Sequence, residues 1–417
     1  SVSVVIDDEG IYYDSSAPSR LENLLKARAA HGAGVDSGVA EALARWQGER
    51  LSKYNTGVDA PVPAARGRIV LVDQVLGDLS VAGAGAGEAD FHRMIDLARD
   101  RGVLDRAAIR THPDVIAGKA RGHFDVHRLG LPMIDAHCTA PALLDEAAEI
   151  WTVSSALGFE ALLRGVPVTT FGLPFYAGWG LTTDLAEGER ASQVFARRLT
   201  GLTREGLFGA ALLDYPRYCD PVGGRPIDFH GAVDRIVDWR SRDRALAGAP
   251  LAVFGVSGWK RAPVAAMLGG ASRKVSFHGA PSPRKLKALP ADSQPAVWGM
   301  SETTAFRAAV TARGQTLHRI EDGFLRSVGL GSDFYAPGSL VLDEDHLYFD
   351  ARGPSLLERI LAETVFDPPL LARARALQAA IVAAGVTKYN LDSSPPDLKA
   401  LAGGRAVVIV AAQVPDD

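Results

Sequence analysis

Short apolar runs recur along the chain, and most are followed by a stretch in which apolar residues fall three or four apart. Ile69–Val72, Ala107–Arg110, Ile150–Val153 and Val166–Phe171 read as strands, with helices expected over 89–102 and Leu157–Arg164. A second series follows at Leu251–Gly255, Lys274–Phe277, Ala296–Gly299 and Thr316–Ile320. Strands that alternate with helices predict parallel sheets, so the expected class is α/β with two Rossmann-like domains. Ahead of the first series, Val4 to Asp14 alternates like a hairpin, and Pro18 to about Leu51 has helical spacing at Leu21, Leu24, Leu25 and Ala29. Residues 56–67 are rich in Pro, Ala and Gly and read as a linker. The pattern breaks again over Asp220–Pro226, before a closing helix expected at Ala232–Ala245.

The same pattern also repeats at long range. Ser3-Val4-Val5-Ile6-Asp7 through Ile11-Tyr12-Tyr13-Asp14 and Pro18-Ser19-Arg20-Leu21-Glu22 matches Ser339-Leu340-Val341-Leu342-Asp343 through Leu347-Tyr348-Phe349-Asp350 and Pro354-Ser355-Leu356-Leu357-Glu358. Lys53-Tyr54-Asn55 matches Lys388-Tyr389-Asn390, and Ile69-Val70-Leu71 with Gln74 and Asp78 matches Val408-Ile409-Val410 with Gln413 and Asp417. The offset, roughly 335–339 residues, is far beyond a solenoid unit and suits duplication of a whole two-domain module. The expected organisation is the end of one module (1–60, 67–200), a linker and closing helix (201–247), and the front of the next (250–400, 401–417). Both termini fall inside matched segments, and the expectation is a polypeptide that continues at each end.

Composition narrows the class. Of the 417 residues, 47% are hydrophobic and 23% charged, which fits packed multidomain cores rather than disorder. A net charge of −4 gives no field to gather nucleic acid, so no nucleic-acid partner is expected. Cys138 and Cys219 lie far apart and near no metal-spaced partner, which fits a reducing, cytoplasmic setting. No run reaches the ~20 apolar residues of a membrane span.

Four stretches carry candidate chemistry. His112 and Pro113 in Thr111-His112-Pro113-Asp114 follow a strand, where a fixed histidine could donate to a phosphate or close an ordinary turn. Ser154 and Ser155 in Thr152-Val153-Ser154-Ser155 open a helix and could hold an anion, although one serine suffices as an N-cap. Glu160, near the first turn, could accept from ribose hydroxyls or answer the helix dipole. Tyr176 and Trp179 lie in Leu173-Pro174-Phe175-Tyr176-Ala177-Gly178-Trp179-Gly180, which could lie on a sugar or base face or pack on its own domain. Gly83–Gly87 lacks the G-x-G-x-x-G order and reads as a mobile loop. Finally, Glu321 and Asp322 in Arg319-Ile320-Glu321-Asp322-Gly323-Phe324-Leu325-Arg326-Ser327 form an acid pair at a strand end. Adjacent like charges would separate their pKa values, and Arg319 and Arg326 could neutralise a carboxylated substrate or the acids themselves.

These motifs together resemble the capsular-polysaccharide β-Kdo transferase family of the KpsC/LipA type, over almost the whole chain. The most specific pieces are Val153-Ser154-Ser155 through Trp179-Gly180 and Arg319 through Ser327. The resemblance implies tandem GT-B type modules, each with an acceptor domain and a CMP-sugar domain, that move Kdo from CMP-Kdo to a glycolipid. In that scheme 1–60 ends an acceptor domain, 67–200 is a CMP-sugar domain, 250–400 is the second acceptor domain and 401–417 begins the second nucleotide domain. His112, Pro113, Ser154, Ser155 and Glu160 would bind the nucleotide, and Arg319, Arg326, Tyr176 and Trp179 the substrates. Asp322 would be the nucleophile of a retaining reaction, with Glu321 beside it. The scheme calls for no metal or other cofactor, the helix amides and hydroxyls stabilising the departing CMP. It also implies capsule-assembly proteins as partners and peripheral association with the inner face of the membrane. The residues alone leave room for a GT-B-like nucleotide-sugar epimerase or a non-catalytic carbohydrate-binding or assembly subunit.

Overall fold

The structure is a computed structural model that describes the chain apart from residues 1, 31–36, 56, 135–136, 222–223, 246–248, 270–272, 392–396, 409 and 412–417. The chain divides into two compact units, Ser1–Arg242 and Asp243–Asp417.

The first unit is built on a five-stranded parallel sheet in the order β3 (Ala107–Arg110), β2 (Ile69–Val72), β4 (Glu149–Thr152), β5 (Val168–Thr170), β6 (Thr183–Asp184). All four residues of β2 are buried, as expected of a central parallel strand covered on both faces. Val70, Val72, Ala108 and Ile150 pack with Leu21 and Leu25 of α1 (Arg20–Ala30), Trp46 of α2 (Ser37–Gly48), and Phe208 and Tyr215. The alternate residues Ile69, Leu71, Ile109 and Trp151 face Phe91, Met94 and Ile95, and one polypeptide segment thus supplies both layers.

The N-terminal segment departs from the hairpin that its alternation suggested. Strand β1 (Ser3–Val5) pairs antiparallel with β7 (Pro216–Asp220), Val4 opposite Arg217, and β8 (Arg225–Ile227) completes that small sheet. Its partner lies some two hundred residues away, where local alternation carries no information.

The glycine-rich run also differs from the mobile loop expected of it. Its first residue, Gly83, closes the short helix α3 (Leu79–Gly83), and the Ser15 backbone amide and hydroxyl both donate to the Gly83 carbonyl, at 2.7 and 2.8 Å. The Ala84 carbonyl accepts from the Leu173 amide at 2.9 Å. A Cβ on Gly83 would lie 2.3 Å from the Tyr13 carbonyl oxygen. The glycine is there for close backbone approach.

The second unit repeats the topology. Its sheet runs β10 (Val275–His278), β9 (Leu251–Phe254), β11 (Gln294–Trp298), β12 (His318–Asp322), β13 (Leu340–Asp343), parallel except for β13 at the edge. Leu251, Val253, Ala296 and Ile320 form one core layer, and Ala252, Phe254, Val297, Phe306 and Leu317 the other. The expected α/β class therefore holds in both units. Asp322, read from sequence as just past its strand, is the last residue of β12.

Later residues of this unit are less covered. Leu357 and Leu361 of the helix Leu356–Glu363 are 36% and 62% exposed, whereas their repeat counterparts Leu21 and Leu25 are 2% and 0% exposed. Ala406–Val408 and Val410 form no strand, and the motif residues Gln413 and Asp417 lie outside the described residues.

Gly83→Ala tests the close approach of α3 to Tyr13. It should lower the unfolding free energy by about 1–3 kcal/mol in a denaturant titration, because the clashing atom is backbone. An unchanged midpoint would show that the run has room to move.

Candidate active site

In each sheet the chain first lays down a central strand, adds one neighbour, then crosses to the other side. The reversal falls between β2 and β4 in the first unit and between β9 and β11 in the second. Such switch points open a crevice at the carboxyl ends of the strands.

In the first unit the crevice is lined by Gln74 and Ser154. The register Leu71 opposite Trp151 puts both three residues beyond paired positions, at one level. The Gln74 side-chain carbonyl accepts from the Ser154 amide at 2.9 Å, and its NH2 donates to the Ser154 hydroxyl at 3.0 Å. The same NH2 approaches Ser80 Oγ and Asp78 Oδ2, each at 3.3 Å, and the Ser80 and Ser154 hydroxyls lie 3.2 Å apart. Asp78 caps α3 by accepting from the Ser80 amide at 2.9 Å. Ser155 caps the helix α4 (Ala156–Leu163), accepting from the Leu157 amide at 3.3 Å. Two hydroxyls and an amide side chain thus meet beside a helix N-terminus, a set that can bind an oxyanion. Gln74, Asp78 and Ser80 were not among the sequence candidates, although the repeat had marked Gln74 and Asp78.

His112 stands at the carboxyl end of the neighbouring strand, since β3 pairs Arg110 with Val72. Its Nδ1 accepts from the Asp114 amide at 3.2 Å, which leaves Nε2 to carry the proton of the neutral ring and to donate outward. Pro113 opens the short helix Pro113–Ile116. Asp73 braces this corner from below. Burial raises its pKa to about 6, and it accepts from the His123 and Phe124 amides at 2.8 and 3.3 Å.

Tyr176 and Trp179 are 0% exposed, so neither ring presents a face to a sugar or base. The Tyr176 hydroxyl donates to the Ser155 carbonyl at 2.6 Å, and Trp179 Nε1 to the Phe175 carbonyl at 2.8 Å. Arg198 clamps the same turn through the Pro174 and Ala177 carbonyls, at 2.7 Å each. The aromatic loop is packing that holds the Ser154–Ser155 turn, which corrects its reading as a substrate face. Glu160 is likewise turned inward. One of its carboxylate oxygens accepts from the Lys53 amide at 2.8 Å, the other is buried without a partner among the described residues, and burial pushes its pKa up to about 7.

In the second unit Asp322 is flanked by two cations. Its Oδ2 accepts from Arg326 Nε at 2.7 Å and from Lys260 Nζ at 3.3 Å, while Oδ1 is buried and unpartnered among the described residues. Lys260 Nζ also lies 4.1 Å from the centre of the Trp298 ring at the end of β11, so this group occupies the switch point. Glu321 accepts from the Asp322 amide at 2.8 Å, and its pKa is raised, chiefly by burial and also by the neighbouring carboxylate. Arg319 does not join the acid pair. Its Nε and Nη2 donate to Glu302 at 3.1 and 2.8 Å, and Nη1 to the Asp345 carbonyl. Lys260 and Trp298 escaped sequence reading because only the strand order brings them to Asp322. A carboxylate with one anchored and one free oxygen can act as a nucleophile or a base. Among the described residues no group of three or more His, Cys, Asp or Glu side chains is placed to hold a metal ion.

Residues 39–218 and 296–412 match the family described as capsule polysaccharide biosynthesis protein. Across its whole length the chain is 35% identical to the capsule polysaccharide modification protein LipA of Neisseria meningitidis serogroup B, and it spans 59% of that protein. The lipopolysaccharide-processing protein LpsZ of Rhizobium meliloti is 32% identical over 56% of this chain and 53% of its own. Among solved structures, Thermosulfurimonas dismutans KpsC, described as a beta Kdo 2,4 transferase, matches at 36% identity and a TM-score of 0.50, covering 57% of this chain and 73% of that one. The two-part family match and the full-length likeness to LipA agree with the motifs at both switch points: the chain belongs to the capsule polysaccharide biosynthesis family.

Proposed function

We propose that this chain contributes to a transferase that moves Kdo from CMP-Kdo to a glycolipid acceptor during capsule synthesis. The observation that carries the reading is the pair of matching crevices with complementary contents. One holds hydroxyl and amide donors suited to a nucleotide phosphate, and the other a carboxylate suited to a sugar's anomeric carbon. The relatives' descriptions support the same reaction class.

In this reading Ser154, Ser80 and the outward nitrogen of His112 hold the CMP phosphate, and Gln74 orients both hydroxyls. Asp322 attacks the anomeric carbon of Kdo while the bond to the CMP oxygen breaks and CMP leaves with the electron pair. An acceptor hydroxyl then displaces Asp322 from the same carbon, giving retention overall, and its proton passes to Glu321. Arg326 and Lys260 hold one Asp322 oxygen and so keep the carboxylate aimed.

The nucleotide site belongs to one repeat and the acid pair to the next, so each would act with a matching half in a tandem arrangement. The exposed Leu357 and Leu361, whose counterparts Leu21 and Leu25 are buried against the nucleotide domain, support that arrangement. Among the described residues no helix is long and apolar enough to cross a membrane. A glycolipid acceptor would place the work at a membrane surface, where other capsule-assembly proteins would meet it.

Two outcomes are expected. In a CMP titration of this chain, Ser154→Ala and Gln74→Ala should each weaken binding about tenfold or more, the cost of losing hydrogen bonds to a charged group. Undiminished affinity would move the phosphate elsewhere. In a transfer assay with a polypeptide that completes both modules, Asp322→Ala should abolish one of two Kdo linkages, as read by NMR of the product. An unchanged product would overturn its role.

A further inference from the structure

The Lys-Tyr-Asn segments of the two repeats fold into the same turn. The Asn55 carboxamide oxygen accepts from the Ser52 amide at 3.1 Å and its NH2 donates to the Ser52 carbonyl at 2.7 Å. Asn390 makes the corresponding bonds to the Thr387 amide and carbonyl at 2.7 and 2.8 Å. The lysine ammonium of each copy lies over the following tyrosine, 5.4 Å from the ring centre at Tyr54 and 5.3 Å at Tyr389. Offset and geometry together make these one structural element, seen twice.

What each copy holds is different. In the second unit the turn uses its carbonyls. The Lys388 carbonyl accepts from the Arg326 and Ser327 amides at 2.9 and 3.2 Å, and the Tyr389 carbonyl from the Gly329 amide at 2.6 Å. Asn390 Nδ2 also donates to the Ser327 carbonyl at 3.0 Å. These bonds fix the loop whose Arg326 side chain grips Asp322. In the first unit the turn uses its amide. The Lys53 N–H donates to buried Glu160 of α4, the helix that Ser155 caps and Ser154 precedes. Arg164 of the following residues adds a bond to the Leu51 carbonyl at 2.9 Å, so the turn's base is held to the same helix.

The carbonyl bonds and the amide bond do not compete for one atom. We propose that the Lys-Tyr-Asn turn is a two-faced clamp which, within a single complete module, ties the acid-pair loop on one side to the nucleotide-site helix on the other. Each copy here displays one face, the first toward the nucleotide-site helix and the second toward the acid-pair loop. Glu160 is then a positioning residue that holds the turn, not a ribose ligand. A turn gripped from both sides sets the distance between the carboxylate and the phosphate site, the quantity that an in-line displacement depends on. The inference rests on the proposed pairing of one nucleotide site with one acid pair per module.

Amide hydrogen exchange on this chain, with a parallel CMP titration, reads the two faces separately. Glu160→Ala should speed exchange at the Lys53 amide about tenfold or more, while Glu160→Gln, which keeps an acceptor oxygen, retains protection and changes CMP affinity less than about twofold. Asn390→Ala should speed exchange at Arg326, Ser327 and Gly329 by a similar factor and leave CMP affinity unchanged. In a polypeptide that completes both modules, Asn55→Ala should lower kcat at constant KM for the CMP-sugar, the signature of lost alignment. A tenfold weaker CMP complex in Glu160→Gln with Lys53 still protected would make Glu160 a nucleotide ligand and overturn the clamp, as would unchanged exchange at 326–329 in Asn390→Ala. Failure of the unaltered chain to bind CMP would instead overturn the nucleotide-site assignment, and the exchange rates would still decide the clamp.

Discussion

The paired hydrogen bonds between the Gln74 side chain and Ser154 are the interaction on which the nucleotide-site reading depends. They join the ends of two parallel strands at the point where the chain reverses its direction of winding. A parallel sheet delivers every strand's carboxyl end to one edge, and covering both faces with helices leaves that edge as the accessible place for polar groups to gather. Gln74 has both a donor and an acceptor, so it can satisfy the Ser154 amide and still orient two hydroxyls. An apolar residue there would leave those groups without a bridge across the crevice.

The second unit applies the same topology to opposite chemistry. Its switch point gathers Lys260, Trp298 and Asp322, and two cations hold one carboxylate oxygen while the other has no partner among the described residues. The same winding thus serves a donor cradle in one place and an anionic group in the other. The fold fixes where a site can form, and the side chains at the strand ends decide what it does.

Much of this was legible in the sequence, for definable reasons. Strands β2 and β3 were read to the residue because the first is a continuous apolar run between Arg68 and Asp73, the signature of burial on both faces, and the second an apolar run that ends on Arg110. The serine turn and the acid pair were visible as polar groups at strand ends. The aromatic loop was ambiguous because Tyr176 and Trp179 can pack or stack equally well, and only the packing around them decides. Arg319 sits three residues from Asp322 yet serves Glu302, a partner supplied by the loop that follows β11. Lys260 is 62 residues from Asp322 in sequence and becomes its neighbour through the strand order alone. The repeat was the most informative long-range signal. It flagged Gln74, Asp78 and the Lys-Tyr-Asn turn before any of them had an assigned contact.

The central claim is that the nucleotide phosphate binds at the first unit's switch point, while the acid pair of the second serves another half-site. A crystal structure of this chain soaked with CMP tests it most directly. The account predicts phosphate oxygens within hydrogen-bond distance of Ser154 Oγ and Ser80 Oγ, with no nucleotide beside Asp322. CMP stacked on Trp298 with its phosphate on Lys260, and none at Ser154, would contradict it.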